Sequence, residues 1–314
     1  MAERTLTLSG SRISIKERFF YLNSSGERLA VWEHSPSRGA IKDKVILLNA
    51  PVGFEQVHTY RSMRRLAEQL AADGFVVIRF DYRGTGDSMG VPEKNTTFEH
   101  WVQDIRCVSA YIKAQYQSTE QCWLGLRLGG LLAQLANYDN MAQHMILWEP
   151  VLNGRAYIRE MQALSMLASH QAHKNEKLIE SAGFVMPAQS ADYIKSLNLI
   201  KKPVNFGKNA GLLIFRDDAE LPQKWLDEIA ATGHDYDLYL MSDYEAMMDV
   251  PHKSSVPYDV HNKILQWLNG TVHKELEMPL PANVDDTVQT VDESGSTIQE
   301  QAIFFGEQQT LFGV

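Results

Sequence analysis

The chain has 314 residues, of which 44% are hydrophobic, and its formal net charge at pH 7 is −9. This length and composition are ordinary for a globular protein with one large core. The acidic balance argues against nucleic acid and anionic membrane surfaces as partners. No apolar run reaches membrane-spanning length. Both cysteines fall in apolar patterns and are predicted to be buried thiols, which favours a cytoplasmic protein. No pattern indicates a metal ion or a cofactor.

The first half of the chain alternates between short apolar runs and amphipathic stretches. Residues 44–49 (KVILLN) and 75–80 (FVVIRF) have the length and composition of buried strands. Between them, apolar residues recur at helical spacing over 60–73, and a further helical pattern covers 98–112. This alternation predicts a parallel sheet with helices on both faces.

The most informative stretch is 121–130 (QCWLGLRLGG), in which an apolar strand meets a helix across closely spaced glycines. It resembles the nucleophile elbow of the α/β-hydrolases, G-x-S-x-G, which lifts a serine into the pocket. Here Arg127 stands at the apex, followed by Leu128. A guanidinium stays protonated at ordinary pH, so it can bind an anion but cannot attack a carbonyl.

Two loops extend the resemblance. Residues 81–88 (DYRGTGDS) are similar to the D-x-R-G-x-G-x-S loop of α/β-hydrolases. Ala50, Pro51 and Val52 follow the first strand, where these enzymes place one oxyanion-hole donor. The resemblance implies an α/β-hydrolase fold with a mostly parallel central sheet flanked by helices.

A narrower resemblance lies in residues 145–157 (MILWEPVLNGRAY), which are similar to the sixth strand and cap entrance of exosortase-system-associated hydrolases. Arginine is the usual elbow residue in that group, and the likeness extends over about residues 15–270. It implies a link to exopolysaccharide and protein-sorting systems, but it implies no substrate.

The strand–helix alternation stops after residue 154 and resumes near residue 201. The interrupting stretch is predicted to be a small helical cap, and the polar, breaker-rich stretch after residue 270 is predicted to be a linker. Two short apolar segments at the end of the chain are predicted to form a strand hairpin. The predicted units are a hydrolase core (15–154 and 201–270), a helical cap (155–200), a linker (271–297) and a C-terminal hairpin (298–314).

In α/β-hydrolases the catalytic acid and histidine follow the last strands of the sheet. Asp217 and Asp218 directly follow the apolar run 211–216, and either of them matches the acid position. His252 lies shortly before the last predicted helix, and the order elbow, acid, histidine is the hydrolase order. Pro251 replaces the glycine that usually precedes the histidine. His261, inside that helix, is predicted to be a surface residue.

The role of Arg127 has three alternatives at this point. Glu149, at the end of the neighbouring strand, is the best internal partner for a buried ion pair. A ligand anion is the second alternative, and a side chain that faces solvent is the third. Ser88 and Ser242 lie in loops but lack the elbow context of a nucleophile.

Two classes of function remain. In the first, a serine-independent hydrolase or acyl-transfer enzyme uses His252 as general base, oriented by Asp217, with Arg127 stabilising an oxyanion. In the second, a non-catalytic protein holds an acyl or anionic small molecule or a protein partner. The apolar tail is also predicted to join two copies into a homodimer.

Overall fold

The computed structural model describes residues 2–8, 11–90, 97–168, 178–181, 184–201, 211–291, 296–305 and 311–313. Parts of the predicted cap (169–177 and 182–183), core (202–210), linker (292–295) and C-terminal hairpin (306–310 and 314) lie outside these residues.

The strands are β1 (Ala2–Leu8), β2 (Ser11–Ser24), β3 (Glu27–Pro36), β4 (Ile41–Lys42), β5 (Lys44–Asn49), β6 (Val76–Phe80), β7 (Glu120–Leu126), β8 (His144–Trp148), β9 (Leu178–Ser181), β10 (Phe184–Pro187), β11 (Gly211–Arg216), β12 (Tyr236–Met241), β13 (Glu275–Leu276), β14 (Thr287–Val291), β15 (Thr297–Gln301), β16 (Ile303–Phe305) and β17 (Leu311–Gly313). The helices are α1 (Phe54–Ala72), α2 (Phe98–Gln115), α3 (Leu128–Ala136), α4 (Gly154–Ala168), α5 (Ala188–Ser196), α6 (Gln223–Ala231), α7 (Tyr244–Met248) and α8 (Tyr258–Gly270).

The central sheet has the strand order β1-β2-β3-β6-β5-β7-β8-β11-β12. Strands β6, β5, β7, β8, β11 and β12 run parallel to their neighbours, whereas β1, β2 and β3 pair antiparallel at one edge. All six residues of β5 and all five of β6 and β8 are buried. Continuous apolar runs of this kind are expected where helices cover both faces of a parallel sheet.

Each face of the sheet has its own core. On one face, α2 and α3 pack against the odd-numbered residues of β5, such as Leu47, and the even-numbered residues of β6, such as Ile78. On the other face, α1 and α8 pack against Ile46, Val77 and Trp148. The parallel strands end together at one edge of the sheet, so the loops after β5, β7, β8, β11 and β12 meet there. The candidate site lies at this edge.

Three segments differ from the sequence-based boundaries. The cap contains the antiparallel hairpin β9–β10 between its helices α4 and α5. The range predicted as linker contains β13, which pairs with β4, and β14, which pairs with β15. The antiparallel edge also begins at Ala2 rather than near residue 15. Most of these strands are short, so a periodicity search misses them.

The C-terminal segment packs on the outer face of β2 and β3 in its own chain. The N–H of Tyr21 donates to the carbonyl of Asp285 at 2.7 Å, and Arg28 pairs with the carboxylate of Asp285 at 3.0 Å. Val288 is buried against this face, and Phe304 packs on it. The tail therefore covers aromatic side chains that would otherwise be exposed.

Candidate functional site

The strand-to-helix turn between β7 and α3 has the geometry of a nucleophile elbow. Arg127, the residue between them, has φ 51° and ψ −120°. A side chain other than glycine in this backbone region costs about 1–3 kcal/mol. Its N–H donates to the carbonyl of Trp148 at 3.0 Å, and its carbonyl accepts from the N–H of Val151 at 3.2 Å. The neighbouring strand therefore holds the strained turn in place.

The elbow glycines are required by close packing. A Cβ atom on Gly125 would lie 2.5 Å from the Cα of Gly130, and one on Gly129 would lie 2.2 Å from the carbonyl oxygen of Asn49. Helix α3 is therefore pressed against both its own strand and the loop that begins at Ala50. The backbone of the elbow is intact although its apex residue is not a nucleophile.

The guanidinium of Arg127 is held by two carboxylates. Its Nε donates to Oε1 of Glu55 at 2.7 Å, and its Nη2 donates to Oε2 of Glu160 at 2.9 Å. The hydroxyl of Tyr157 donates to the other oxygen of Glu55 at 3.2 Å. Arg127 is 9% exposed and Glu55 is 1% exposed. The apex is therefore the centre of a buried ion-pair network that joins α1, the elbow and the cap helix α4.

The prediction that Glu149 is the ion-pair partner of Arg127 is wrong. Oε2 of Glu149 accepts from the backbone N–H of Arg216 at 3.0 Å, and the Nε of Arg216 lies 3.8 Å from its Oε1. Strand β8 is hydrogen-bonded to β11, so the end of β8 faces the loop after β11. The side chain of Arg127 instead extends over the loop after β5, where Glu55 begins helix α1.

Burial and the ion pairs shift the pKa values of Glu55 and Arg127 in opposite directions. Burial raises the pKa of Glu55, and the guanidinium of Arg127 opposes that rise. For Arg127, burial is the largest single effect and lowers the pKa, but Glu55, Tyr244 and Glu160 together outweigh it, so the pKa of Arg127 lies well above its ordinary value. Burial also raises the pKa of Glu149. Arg127 therefore keeps its positive charge.

The predicted acid and histidine are not assembled with the apex. Asp217 follows β11, and its N–H donates to the carbonyl of Met241. His252 lies in the turn between α7 and α8, and both side chains are exposed. Within the described ranges, no hydrogen bond or ion pair joins His252 to Asp217. Asp218, the other candidate acid, lies 3.5 Å from the Nε of Arg216.

Tyr244, which the sequence-based interpretation missed, is the first residue of α7, shortly after β12. It is buried, and the guanidinium of Arg216 lies 5.5 Å from its ring centre. Burial raises its pKa, an effect that Arg127 opposes and Glu55 reinforces. A tyrosine in this environment stays protonated, so it is not a general base at neutral pH.

Ser88, Ser242 and Ser62 give no alternative nucleophile. The hydroxyl of Ser88 donates to the carbonyl of Asp81 and accepts from the N–H of Ala30, so it holds a loop. Ser242 is exposed after β12. Ser62 lies 3.1 Å from Nε2 of His261, a pair that resembles a catalytic dyad, but both are buried. The prediction that His261 lies at the surface is wrong, because α8 turns this residue toward α1.

A small pocket lies between the predicted oxyanion loop and the cap, with about 250 Å³ of space including its open mouth. It is lined by Val52, Gly53, Phe54, Tyr157, Met161, Phe184 and Met186. A Cβ atom on Gly53 would lie 2.8 Å from the ring of Phe184, so the cap hairpin closes directly onto this loop. The hydroxyl of Tyr82 also donates to the carbonyl of Ala50. Val52 of the predicted oxyanion loop, together with Gly53, is thus covered by apolar side chains of the cap.

The described residues contain no cluster of histidine, cysteine, aspartate or glutamate side chains able to hold a metal ion. Nor does this part of the chain contain a helix long and apolar enough to cross a membrane.

The comparisons with known proteins agree with this architecture. The family model described as serine aminopeptidase, S33, matches residues 56–201, slightly less than half of the chain. None of the curated proteins matches it in sequence.

Three solved structures illustrate the likeness. Est1E from Butyrivibrio proteoclasticus with bound ferulic acid is 16% identical with a TM-score of 0.58, over 80% of this chain and 98% of Est1E. A serine hydrolase without a lid from Xanthomonas campestris is 16% identical with a TM-score of 0.53, over 82% of this chain and 96% of that one. A Pyrococcus furiosus esterase is 15% identical with a TM-score of 0.53, over 82% and 93%. The chain has the α/β-hydrolase fold, and the predicted fold class is confirmed.

Proposed function

We propose that this chain is a hydrolase-fold binding protein without serine-hydrolase chemistry, which holds a small uncharged apolar group beneath its cap. The observation that carries the proposal is the presence of an arginine at the apex of the turn between β7 and α3. Arg127 stands where the fold presents its nucleophile, and Glu55 and Glu160 hold its guanidinium. A protonated guanidinium has no lone pair available for attack.

The hydrolytic alternative lacks the contacts that it needs. A general base must lie within hydrogen-bond reach of the water that it activates and must itself be oriented by another group. His252 is exposed and makes no hydrogen bond to Asp217 within the described residues. An oxyanion beside Arg127 would also compete with two carboxylates that already neutralise its charge.

The chemistry of the ligand follows from the pocket and from the charges near it. The lining of methionine, phenylalanine and valine side chains suits an apolar group, and methionine adapts to irregular shapes. Around the apex, four carboxylates (Glu55, Glu149, Glu160, Asp218) outnumber two guanidinium groups (Arg127, Arg216). This excess of negative charge disfavours an anionic ligand. Because only about 10 Å³ of the pocket is accessible to a water-sized group, the ligand enters it with a small neutral apolar end.

The biological setting is part of the same proposal. The resemblance of residues 121–130 and 145–157 to exosortase-system-associated hydrolases supports a role beside surface-polysaccharide export, on the cytoplasmic side. Deletion of the coding sequence in the natural host is expected to reduce exported polysaccharide. Complementation by the double variant Arg127→Met, Glu55→Gln is expected to restore export if ligand binding alone accounts for the function. In this variant uncharged side chains of similar size replace both charged groups.

A fluorophosphonate probe is expected not to label the protein, and short p-nitrophenyl esters are expected not to be hydrolysed above background. Arg127→Ser alone is expected to stay inactive, because His252 and Asp217 are exposed and not hydrogen-bonded to each other among the described residues, so the new hydroxyl lacks an oriented histidine base. Labelling followed by mass spectrometry checks both expectations. Labelling at any serine, lost when that serine is replaced by alanine, would contradict the proposal.

Benzyl alcohol is expected to raise the melting temperature in a saturable way, whereas benzoate, its anionic counterpart of similar size, is expected not to. A ligand that binds only the native state stabilises it according to its concentration and affinity. Met161→Trp, which fills the pocket, is expected to abolish the shift, and Val57→Trp on the exposed face of α1 serves as the control. Equal shifts with benzoate would overturn the inferred ligand class.

The predicted homodimer is retained as a proposal with a different surface. Ile298, Ile303 and Phe305 of the C-terminal hairpins are exposed, although the opposite face of this segment packs on β2 and β3. Replacing all three by serine is expected to convert a dimer to a monomer in sedimentation velocity without loss of melting temperature. A wild-type chain that sediments as a monomer at high micromolar concentration would refute the dimer.

A further inference from the structure

A buried arginine lies in the central sheet, away from the apex. Arg79 is in β6, where it pairs with Leu48 of β5 and Trp32 of β3. Its neighbour Val77 points to the face covered by α1, and strand alternation places Arg79 on the same face. The side chain is 7% exposed. An arginine in this position must find acceptors or carry a large desolvation cost.

The described residues provide hydrogen-bond acceptors for only some of the N–H groups of Arg79. Its Nε donates to Nε2 of His34 at 3.0 Å, and its centre lies 5.1 Å and 5.4 Å from the rings of Trp32 and Tyr60. Nη2 is buried and has no hydrogen-bond acceptor among the described residues. The nearest acid in sequence, Asp81, accepts instead from the amide of Gln56 and from a backbone N–H, each at 3.0 Å.

A cavity lies beside this unsatisfied group. Its volume is about 340 Å³ including its mouth, and Arg79, Asp81 and Gln56 contribute its polar wall. Leu48 and Met63 contribute apolar surface, and the half-exposed ring of Tyr60 lies at the mouth. Only about 20 Å³ of this space is accessible to a water-sized group, far below the roughly 300–1,000 Å³ of drug-sized ligand sites. The occupant is therefore small, with an acceptor at one end and an apolar part at the other.

We propose that this cavity is a second ligand site, which binds a small carboxylate of about the size of acetate on the Nη2 of Arg79. A carboxylate is the strongest acceptor that matches a guanidinium. The second N–H of the Gln56 amide is a further donor. The methyl end of the ligand would contact Met63 and Leu48. Ala50 of the predicted oxyanion loop also lines the cavity.

Protonation of Asp81 strengthens the binding of a carboxylate at Arg79. Burial raises the pKa of Asp81 to about 6, so its carboxyl group gains a proton below that pH and no longer repels an anion. The backbone N–H of Asp87 and the guanidinium of Arg79 oppose this rise, and the carboxylate of Asp87 adds to it. The remaining polar side chains that line the cavity are Gln56, Thr59 and Tyr60, all of α1, and the hydroxyl of Thr59 donates to the carbonyl of Glu55. His34 of β3 accepts from the Nε of Arg79. Carboxylate affinity is therefore expected to rise as pH falls from 7.5 to 5.5.

The test is a titration of the full-length protein with sodium acetate at pH 5.5 and at pH 7.5, with ionic strength held constant by sodium gluconate. The expected result is a saturable rise in melting temperature, with an affinity about tenfold higher at pH 5.5. Acetamide, the neutral isostere, is expected to give no rise. A folded wild-type protein without an acetate response, or with equal responses to acetate and acetamide, would overturn the proposal.

Variants separate this site from general salt effects. Arg79→Met is expected to abolish the acetate response, and Arg65→Met, on the exposed side of α1, is expected to retain it. Met63→Phe keeps the guanidinium but fills the cavity, so it is expected to lose the response even if Arg79→Met does not fold. An unchanged response in either Arg79→Met or Met63→Phe would overturn the site. The benzyl alcohol response of the cap pocket is expected to persist in both variants, so the two sites are tested independently.

Discussion

Replacing Arg127 by alanine is expected to lower the free energy of unfolding by about 3–5 kcal/mol, because Glu55 would remain as a buried carboxylate without its partner. Glu55 is 1% exposed, and its other contact is the hydroxyl of Tyr157. Loss of the guanidinium also removes the contact with Glu160, but that carboxylate is half-exposed and solvent replaces its partner. Urea unfolding monitored by tryptophan fluorescence measures the change.

The partner is identified by double substitutions. Arg127→Met combined with Glu55→Gln is expected to recover most of the lost stability, since an uncharged amide no longer requires a cation. Arg127→Met combined with Glu149→Gln is the matched control and is expected to recover nothing, because Glu149 accepts from Arg216. A stability of Arg127→Ala equal to that of the wild type would show that the apex pair contributes no net energy.

The parallel part of the fold was predictable because its signals are local. Strands β5, β6 and β8 are continuous apolar runs, and the glycines at 125 and 129 are required by contacts at 2.5 Å and 2.2 Å. A periodicity search detects such features within one window of sequence. The strands β13 and β14 escaped it, since they are short and β13 is held by β4, which is distant in the chain.

The site was predictable in position but not in its contacts. The elbow, the oxyanion loop and the ends of β8, β11 and β12 do meet at one edge of the sheet. The partner of Arg127, however, is Glu55, which is 72 residues away in sequence. Glu149 was predicted instead because its strand is the neighbour of the elbow strand. One signal was available: Glu55 is an acidic residue in the first turn of α1, where a helix favours negative charge, directly after the oxyanion loop.

The sharp turn between β7 and α3 has a structural role in this network. The strained backbone at Arg127 costs stability, yet it aims the side chain at Glu55 on α1 and Glu160 on the cap helix. The same geometry that would present a serine to a substrate thus presents a cation to two carboxylates. In this chain the apex fixes the cap to the core, and the cover over Val52 follows from that closure.

Acidification is expected to destabilise the protein through His261, by roughly 3 kcal/mol between pH 6.5 and pH 4. Burial lowers the pKa of His261 from 6.5 to about 3. Between these values the unfolded chain binds a proton that the native state does not, so stability falls as pH falls through this window. The neutral ring lies between the hydroxyl of Ser62 and the amide oxygen of Gln69, at 3.1 Å and 2.7 Å.

The buried carboxyl groups of Glu55, Asp81 and Glu149 work in the opposite direction, because their raised pKa values favour the native state as pH falls. The contribution of His261 must therefore be isolated by comparison of variants. His261→Asn has no titrating group, and its free energy of unfolding is expected to fall less steeply between pH 6.5 and pH 4 than that of the wild type. His252→Asn, at an exposed histidine, is expected to keep the wild-type slope. Parallel slopes for the wild type and His261→Asn would mean that His261 becomes protonated in the native state, and the buried neutral ring would be refuted.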